Sequence, residues 1–187
     1  LVVGGAVRDM LLGQSSHDVD LLTNARPDQI REIFANESCK IVGKQFPVCL
    51  VNGVEIAFCR ASSGSDPWFL ADLAMRDLTI NAMGVDPVSQ ELIDPFGGRK
   101  DMEERRIRFV RDPHARIAED PLRMIRACRF AAMIQGTIDE QSFQAIVNNA
   151  HVLVARIPGE RIRLELLKAM SLDRGTNPTG TAQGHEP

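Results

Sequence analysis

The chain has 187 residues, 44% of them hydrophobic and 25% charged, with a formal net charge of −3. That length buries a real core in one domain or one and a half, and the balance is that of an ordinary soluble globular protein. No apolar run reaches a membrane span, nothing reads as a signal peptide, and aromatics at 5% with no tyrosine argue against recognition by stacking.

The four cysteines, Cys39, Cys49, Cys59 and Cys128, form no CxxC pair. They are expected to be buried thiols in a reducing compartment, by default the cytoplasm. Charge is unevenly spread. Residues 1–98 hold 7 basic and 13 acidic residues, a net of −6, whereas residues 99–174 hold 15 and 11, a net of +4. An acidic front and an arginine-rich back suggest metal in one and a polyanion in the other; solvated helix faces with local ion pairs would give the same totals.

In chain order, residues 1–3 read as a buried strand, Gly4-Gly5 as a turn, and Ala6 to Leu12 as a short helix stopped by Gly13. HDVDLLT reads as a strand and RPDQIREIFAN as a helix entered through Pro27. FPVCLVNGVEIAFCR reads as a hairpin turning at Asn52-Gly53. ASSGSD is a flexible loop, PWFLADLAMRDLTINAMGV runs from helix into strand, and DPFGGRKD is a turn. From Pro113 the pattern is helical, through EDPLRMIRACRFAAMI, DEQSFQAIVNNAHVLV and PGERIRLELLKAMS. The fold expected is α/β (α+β): a mixed head over 1–110, a helical segment over 111–172, and a disordered tail over 173–187. A start at Leu1 inside a strand and a Gly-, Thr- and Pro-rich end suggest a fragment.

Asp18 and Asp20 stand one residue apart. On a strand, alternate side chains share a face, so the two carboxylates would lie close together. Like charges held that near are costly unless a divalent cation sits between them, and oxygen ligands of this kind suit Mg²⁺. Gly4 and Gly5 let backbone N–H groups approach an anion at the start of the next helix, where Arg8 could reach phosphates. Each piece alone is more often a plain turn or surface strand, but their meeting within 20 residues points to metal-assisted transfer of a nucleotide's phosphoryl group. Glu55, among apolar strand residues, is the candidate third carboxylate; an exposed strand position is the alternative.

In EDPLRMIRACRFAA, Asp120, Arg123, Arg126 and Arg129 recur every three residues. On a helix they form a slanting polar stripe, opposite Leu122, Ile125, Cys128 and Ala132. Asp120 before Pro121 also suits a helix N-cap, and the arginines suit a solvated face. The functional alternative is base recognition. A carboxylate accepts from an exocyclic NH₂ while a guanidinium one turn away donates to the adjacent ring nitrogen. Cytosine and adenine both present that pair; uracil and guanine present the reverse.

These stretches together resemble the class II tRNA nucleotidyltransferase and bacterial poly(A) polymerase family. The resemblance runs through GGAVRDMLLG, HDVDLL, MRDLTINAM, IDPFGGRKDMEERRIRFV, EDPLRMIRACRFAA and ERIRLELLKAM, in the family's order over most of residues 2–170. It implies a polymerase-β-like nucleotidyltransferase head followed by an all-helical neck, and addition of CTP- and ATP-derived nucleotides to the 3′ end of tRNA with release of pyrophosphate. It implies that Asp18 and Asp20 hold catalytic Mg²⁺, that Gly5 and Arg8 touch the nucleotide's phosphates and sugar, and that Arg76 also lines the nucleotide site. Asp77 and Asn81 would order the sugar, Asp120 and Arg123 select the base, and Arg126 and Arg129 contact phosphates or nearby backbone. The body and tail that grip tRNA in the family lie beyond the matching stretches. ASSGSDPWFLADLA, between Arg60 and Arg76, is shorter than the loop of CCA-adding members and resembles that of CC-adding ones. CCA addition, CC addition, poly(A) synthesis and an inactive nucleotide- or RNA-binding fragment are the alternatives left open.

Overall fold

The computed structural model describes residues 1–16, 19–43, 48–59 and 67–171. His17 and Asp18, the expected ASSGSD loop and the expected tail lie outside the described residues.

The apolar pair Val2–Val3 forms strand β1, and Gly5–Leu11 forms helix α1. Strand β2 (Asp20–Thr23) runs antiparallel to β1, with Asp20 opposite Val3. Helix α2 (Pro27–Ile33) starts at its proline, whose fixed φ suits the first helical position. Strands β3 (Cys39–Val42), β4 (Val48–Val51) and β5 (Val54–Phe58) follow as antiparallel neighbours, and Asn52-Gly53 turns β4 into β5. Strand β5 then lies parallel to β2, which places Glu55 beside Asp20. Helix α3 (Leu70–Ala74), a 3₁₀ turn at Thr79–Asn81, and strands β6 (Gly84–Val85) and β7 (Leu92–Ile93) complete a seven-stranded mixed sheet, ordered β3-β4-β5-β2-β1-β6-β7.

DPFGGRKD is a turn only in its first half. Gly98 opens helix α4 (Gly98–Glu103) against the 3₁₀ turn, and a Cβ there would overlap the carbonyl of Thr79. Backbone cannot yield as a flexible side chain can. Gly98→Ala is therefore expected to lower stability by about 3 kcal/mol, read as a lower urea midpoint at unchanged slope. An unchanged midpoint would show that α4 can move away from the turn at little cost.

Strand β8 (Arg106–Ile107) leads into helices α5 (Pro113–Glu119) and α6 (Arg123–Met133). Strand β9 (Thr137–Ile138) then pairs in parallel with β8, and helices α7 (Glu140–Asn149), α8 (His151–Arg156) and α9 (Gly159–Ser171) follow. The helical part thus contains one two-residue strand that ties it back to the head. The largest buried cluster crosses residue 110 as well: Leu78, Ile80, Ile107 and Phe109 pack with Ile117, Met124, Ala127 and Phe130. Head and helical segment share a core, in which each large side chain contributes roughly 2 kcal/mol of burial.

Helix α6 faces its surroundings differently from the stripe read in the sequence. Met124, Ala127 and Phe130 are buried, whereas Cys128 and Ala132 are exposed and Ile125 is only half-buried. The regular helix begins at Arg123, with Asp120 bracing the preceding turn by accepting from the Leu122 N–H at 3.1 Å. The arginines do not form a solvated face: Arg123 and Arg129 side chains are 16% and 12% exposed. The arginine stripe is covered along with the Met124–Ala127–Phe130 face, whereas the side with Cys128 and Ala132 is open, so a polar-versus-apolar division could not locate its core side.

Nor are the cysteines uniformly buried. Cys49 is buried, Cys39 and Cys59 partly so, and Cys128 exposed. Cys39 and Cys49 meet across β3 and β4 with Sγ atoms 2.8 Å apart, and burial followed by the Cys39 contact pushes the Cys49 thiol up to about 11. Among the described residues, no helix is long and apolar enough to cross a membrane.

Candidate nucleotide-binding site

The site is built where the first strand–turn–helix meets α6. Gly4 closes β1 with a φ of 75°, in the left-handed region that glycine enters without strain. A Cβ at Gly4 would overlap the Arg76 guanidinium and stand 3.5 Å from the Asp20 carboxylate. Glycine here lets an arginine from the loop after α3 cross the turn and reach the end of β2. The bare backbone, Arg76 and Asp20 are thereby gathered at one spot.

Arg8, one turn into α1, donates to Asn81 Oδ1 at 2.7 Å and to Asp9 Oδ1 through Nε and Nη2 at 2.9 and 2.7 Å. Asn81 Nδ2 donates to Asp77 Oδ1 at 3.1 Å, and the Arg126 Nε donates to Asp77 Oδ2 at 2.7 Å. Arg126 Nη1 lies 3.6 Å from Glu165 Oε1, while Arg129 Nε donates to Glu165 Oε2 at 2.7 Å. A continuous polar chain therefore links α1, the 3₁₀ turn, α6 and α9. Burial pulls the Asp77 carboxyl upward, but the charge of Arg126 and hydrogen bonds from Asn81, Arg126 and Leu78 outweigh it and hold Asp77 below the usual carboxylate range. Glu165 is likewise held low: Arg129, Arg126 and Lys168 outweigh its burial.

One phenyl ring organises the cations. The guanidiniums of Arg8, Arg126 and Arg129 lie 4.9, 5.5 and 4.1 Å from the centroid of Phe130. Each gains from the ring's negative face while keeping its N–H groups free for hydrogen bonding. Neither this ring nor Arg116, Glu119, Arg161 or Glu165 stood out in the sequence. Helix spacing alone could have set Phe130 beside Arg126, but Arg8 reaches it only through the tertiary fold.

At the other end of the site, Arg123 is clamped. Its Nη1 donates to Glu119 Oε2 at 2.6 Å and to the Arg116 carbonyl at 3.1 Å, and its Nη2 donates to the Met75 carbonyl at 3.0 Å. Three of five N–H groups are thus engaged, leaving two for a ligand. Asp120 Oδ2 accepts from Arg161 Nη2 at 2.9 Å, so each Asp120 oxygen has one partner and room for another.

These groups enclose a cavity of about 360 Å³. Of the residues singled out in the sequence, it brings together Gly5, Arg8, Asp20, Arg76, Asp77 and Asn81 from the head with Asp120, Arg123 and Arg126 from the helical part. Phe130 completes the wall. Four guanidiniums against three carboxylates make a lining suited to a polyanion with a polar base. Arg129 stands behind the wall, bound to Glu165. Glu55 lines an adjoining cavity of about 690 Å³ together with Asp20, Arg126 and Lys168. Asp20 therefore faces both cavities. Asp18 lies outside the described residues.

Residues 1–108 match the poly A polymerase head domain, and residues 137–177 match the probable RNA and SrmB-binding site of polymerase A. The chain belongs to the poly A polymerase head-domain family. Within it, the chain is 38% identical over 183 residues to a CCA-adding enzyme of Geobacillus sp. (strain WCH70), covering 90% of this chain and 44% of that protein. It is 34% identical over 198 residues to the poly(A) polymerase I of Haemophilus influenzae, covering 93% and 43%. The fold superposes on the Bacillus stearothermophilus CCA-adding enzyme in complex with CTP with a TM-score of 0.75 at 36% identity, covering 90% of this chain and 43% of that one. The chain thus spans less than half the length of these family members.

Proposed function

We propose that this chain carries the catalytic head (1–110) and neck (111–172) of a cytoplasmic, template-independent nucleotidyltransferase that adds CTP- and ATP-derived nucleotides to the 3′ end of tRNA. The observation that carries this reading is the single cavity in which Asp20 meets the Asp120–Arg123 pair. A carboxylate suited to phosphoryl chemistry stands at one end, and a donor–acceptor pair suited to a base edge at the other.

The residues do different work. Gly4 and Gly5 expose backbone to the phosphates, and Arg8 and Arg76 offset their charge. Asp77 and Asn81, tied to Arg8 and Arg126, set the sugar's position. Asp120 accepts from the exocyclic amine of cytosine or adenine while Arg123 donates to the neighbouring ring nitrogen, and both are braced to do so. Held in this geometry, the nucleotide presents its α-phosphorus toward Asp20. The RNA 3′-hydroxyl, approaching from the Glu55 side, gives its proton to solvent as its oxygen bonds to that phosphorus, the bond to the β-phosphate oxygen breaks and pyrophosphate leaves.

The donor set at Asp20 fits Mg²⁺. Asp20 and Glu55 are register partners on adjacent strands, line one cavity, and have no ion-pair partner among the described residues. Two unneutralised carboxylates on one face suit a hard divalent cation, with Asp18 one residue away in the chain as a further ligand. When bound there, the cation supplies charge neutralisation to the phosphates and acidifies the attacking hydroxyl.

The deciding experiment offers tRNA lacking its CCA end with Mg²⁺ and labelled CTP or ATP, alone and together, and resolves products at single-nucleotide length. Growth by C, C and then A is the result expected of full CCA addition; arrest after the second C assigns CC addition. Long adenosine tails would move the chain to poly(A) synthesis. Nucleotide bound without transfer would identify a binding fragment. Arg123→Ala is expected to relax base choice by about tenfold, measured as kcat/KM for CTP against UTP, since one charged hydrogen bond carries roughly that much discrimination. Undiminished rejection of UTP would remove Arg123 from base selection.

A further inference from the structure

The Asp120 carboxylate is held from both sides. Its Oδ1 accepts from the Leu122 N–H at 3.1 Å, within its own turn. Its Oδ2 accepts from Arg161 Nη2 at 2.9 Å, and Arg161 belongs to α9, the helix that packs along α6. Asp120 stands on the shared wall of two cavities. One is the nucleotide cavity; the other, about 320 Å³, lies between α6 and α9 and is lined by Arg161, Leu164 and Lys168. Arg161 reaches Asp120 from this second side and is absent from the wall of the first.

We propose that Arg161 is a positioning residue for base choice, fixing the Asp120 carboxylate so that its remaining acceptor sites face the exocyclic amine of the incoming base. This rests on the assignment of Asp120 to base selection. A carboxylate turns about its terminal bond with little resistance, because that torsion is broad and roughly two-fold. The Leu122 N–H pins only one oxygen. The guanidinium pins the other, and so removes the rotation that would let a water or a rotated oxygen accommodate a carbonyl in place of an amine. The ion pair is half-exposed, with Arg161 50% accessible, and contributes little to stability. Its consequence is directional. Since α9 also lies within the segment matching a probable RNA and SrmB-binding site, a helix of that segment sets the aim of the base-reading carboxylate.

The test is selective binding. Titration calorimetry gives dissociation constants for CTP and UTP with the wild-type protein, Arg161→Ala and Arg161→Lys, without RNA. The wild type is expected to prefer CTP. Arg161→Ala should lower that preference about tenfold, chiefly through weaker CTP binding, at an unchanged melting temperature. Arg161→Lys, which keeps a donor but not the planar fork, should recover part of it. A purely structural role would weaken both nucleotides alike and leave the ratio unmoved. Retention of the full preference in Arg161→Ala overturns the inference while leaving the proposed function standing. Equal loss of CTP and UTP overturns it too, and leaves Arg161 a purely structural role. A wild type that binds both nucleotides without preference, or neither, overturns the base-selection reading itself. Should Arg161→Ala fail to fold, Arg161→Gln, of similar stem and no charge, reads the same ratio.

Discussion

Asp20→Asn is expected to reduce nucleotide addition to the tRNA 3′ end by roughly a thousandfold or more, with CTP still bound. The substitution keeps the shape of the side chain and removes its charge. Asp20 opens strand β2 beside the Gly4 turn and faces both the nucleotide cavity and the cavity that contains Glu55. Its carboxylate has no internal partner among the described residues, so folding does not depend on it. What depends on it, under the proposed function, is the hold on a divalent cation that would offset phosphate charge, a contribution of several kcal/mol to the transition state that an amide ligand would not sustain. The melting temperature should stay within about 2 °C, in line with the small effect of a near-isosteric change away from the core. Primer extension under single-turnover conditions measures the loss. A rate within about tenfold of wild type would remove Asp20 from the chemistry and leave phosphoryl transfer without its observed carboxylate.

A stability effect as large as that at Gly98 belongs to Arg126. Arg126→Met preserves much of the aliphatic stem over Phe130 but removes the charge between Asp77 and Glu165. Both carboxylates are nearly inaccessible, with side-chain exposures of 8% and 6%. Glu165 keeps Arg129, but Asp77 is left with only Asn81 and a backbone N–H. An uncompensated buried charge of this kind costs about 3 kcal/mol at neutral pH, measurable by urea unfolding.

The pH dependence follows in sign. Asp77 and Glu165 are held below their ordinary values in the folded chain, so their contribution is fully present above about pH 5, beyond the unfolded carboxyl values, and is lost as pH falls through the folded ones. In Arg126→Met, burial prevails at Asp77 and its folded value rises. Acid unfolding should therefore begin at higher pH than in the wild type. A loss below about 1 kcal/mol together with an unshifted acid transition would show that the Arg126 pair is dispensable to the fold.

Local chemistry accounts for what was legible in the chain. Asn52-Gly53 between two β-rich runs specifies a hairpin, because few dipeptides tolerate that turn, and the structure has it. Pro27 opens α2, and the helices expected in the C-terminal half are present. The separate stretches GGAVRD, HDVDLL, MRDLTINAM and EDPLRMIR named nine of the groups that line one cavity, although nothing in their spacing says that they meet. Two-residue strands such as β8 and β9 carry no period to detect, and the start of α4 at Gly98 depends on a carbonyl from the 3₁₀ turn.

The sequence by itself determined the local elements and the chemical character of the site: a glycine turn, carboxylates on strands, and a helix of arginines, each dictated by neighbours a few residues away. Only the tertiary structure decided which way α6 faces, which arginines reach the cavity and which are taken up by Glu165, and that Phe130 gathers guanidiniums from two helices. It also joined Arg161 to Asp120 and Cys39 to Cys49. The physical reason is the same throughout. A guanidinium's role is set by which carboxylate, carbonyl or ring lies within about 3 to 5 Å of it, and those partners come from segments that folding, not sequence proximity, brings together.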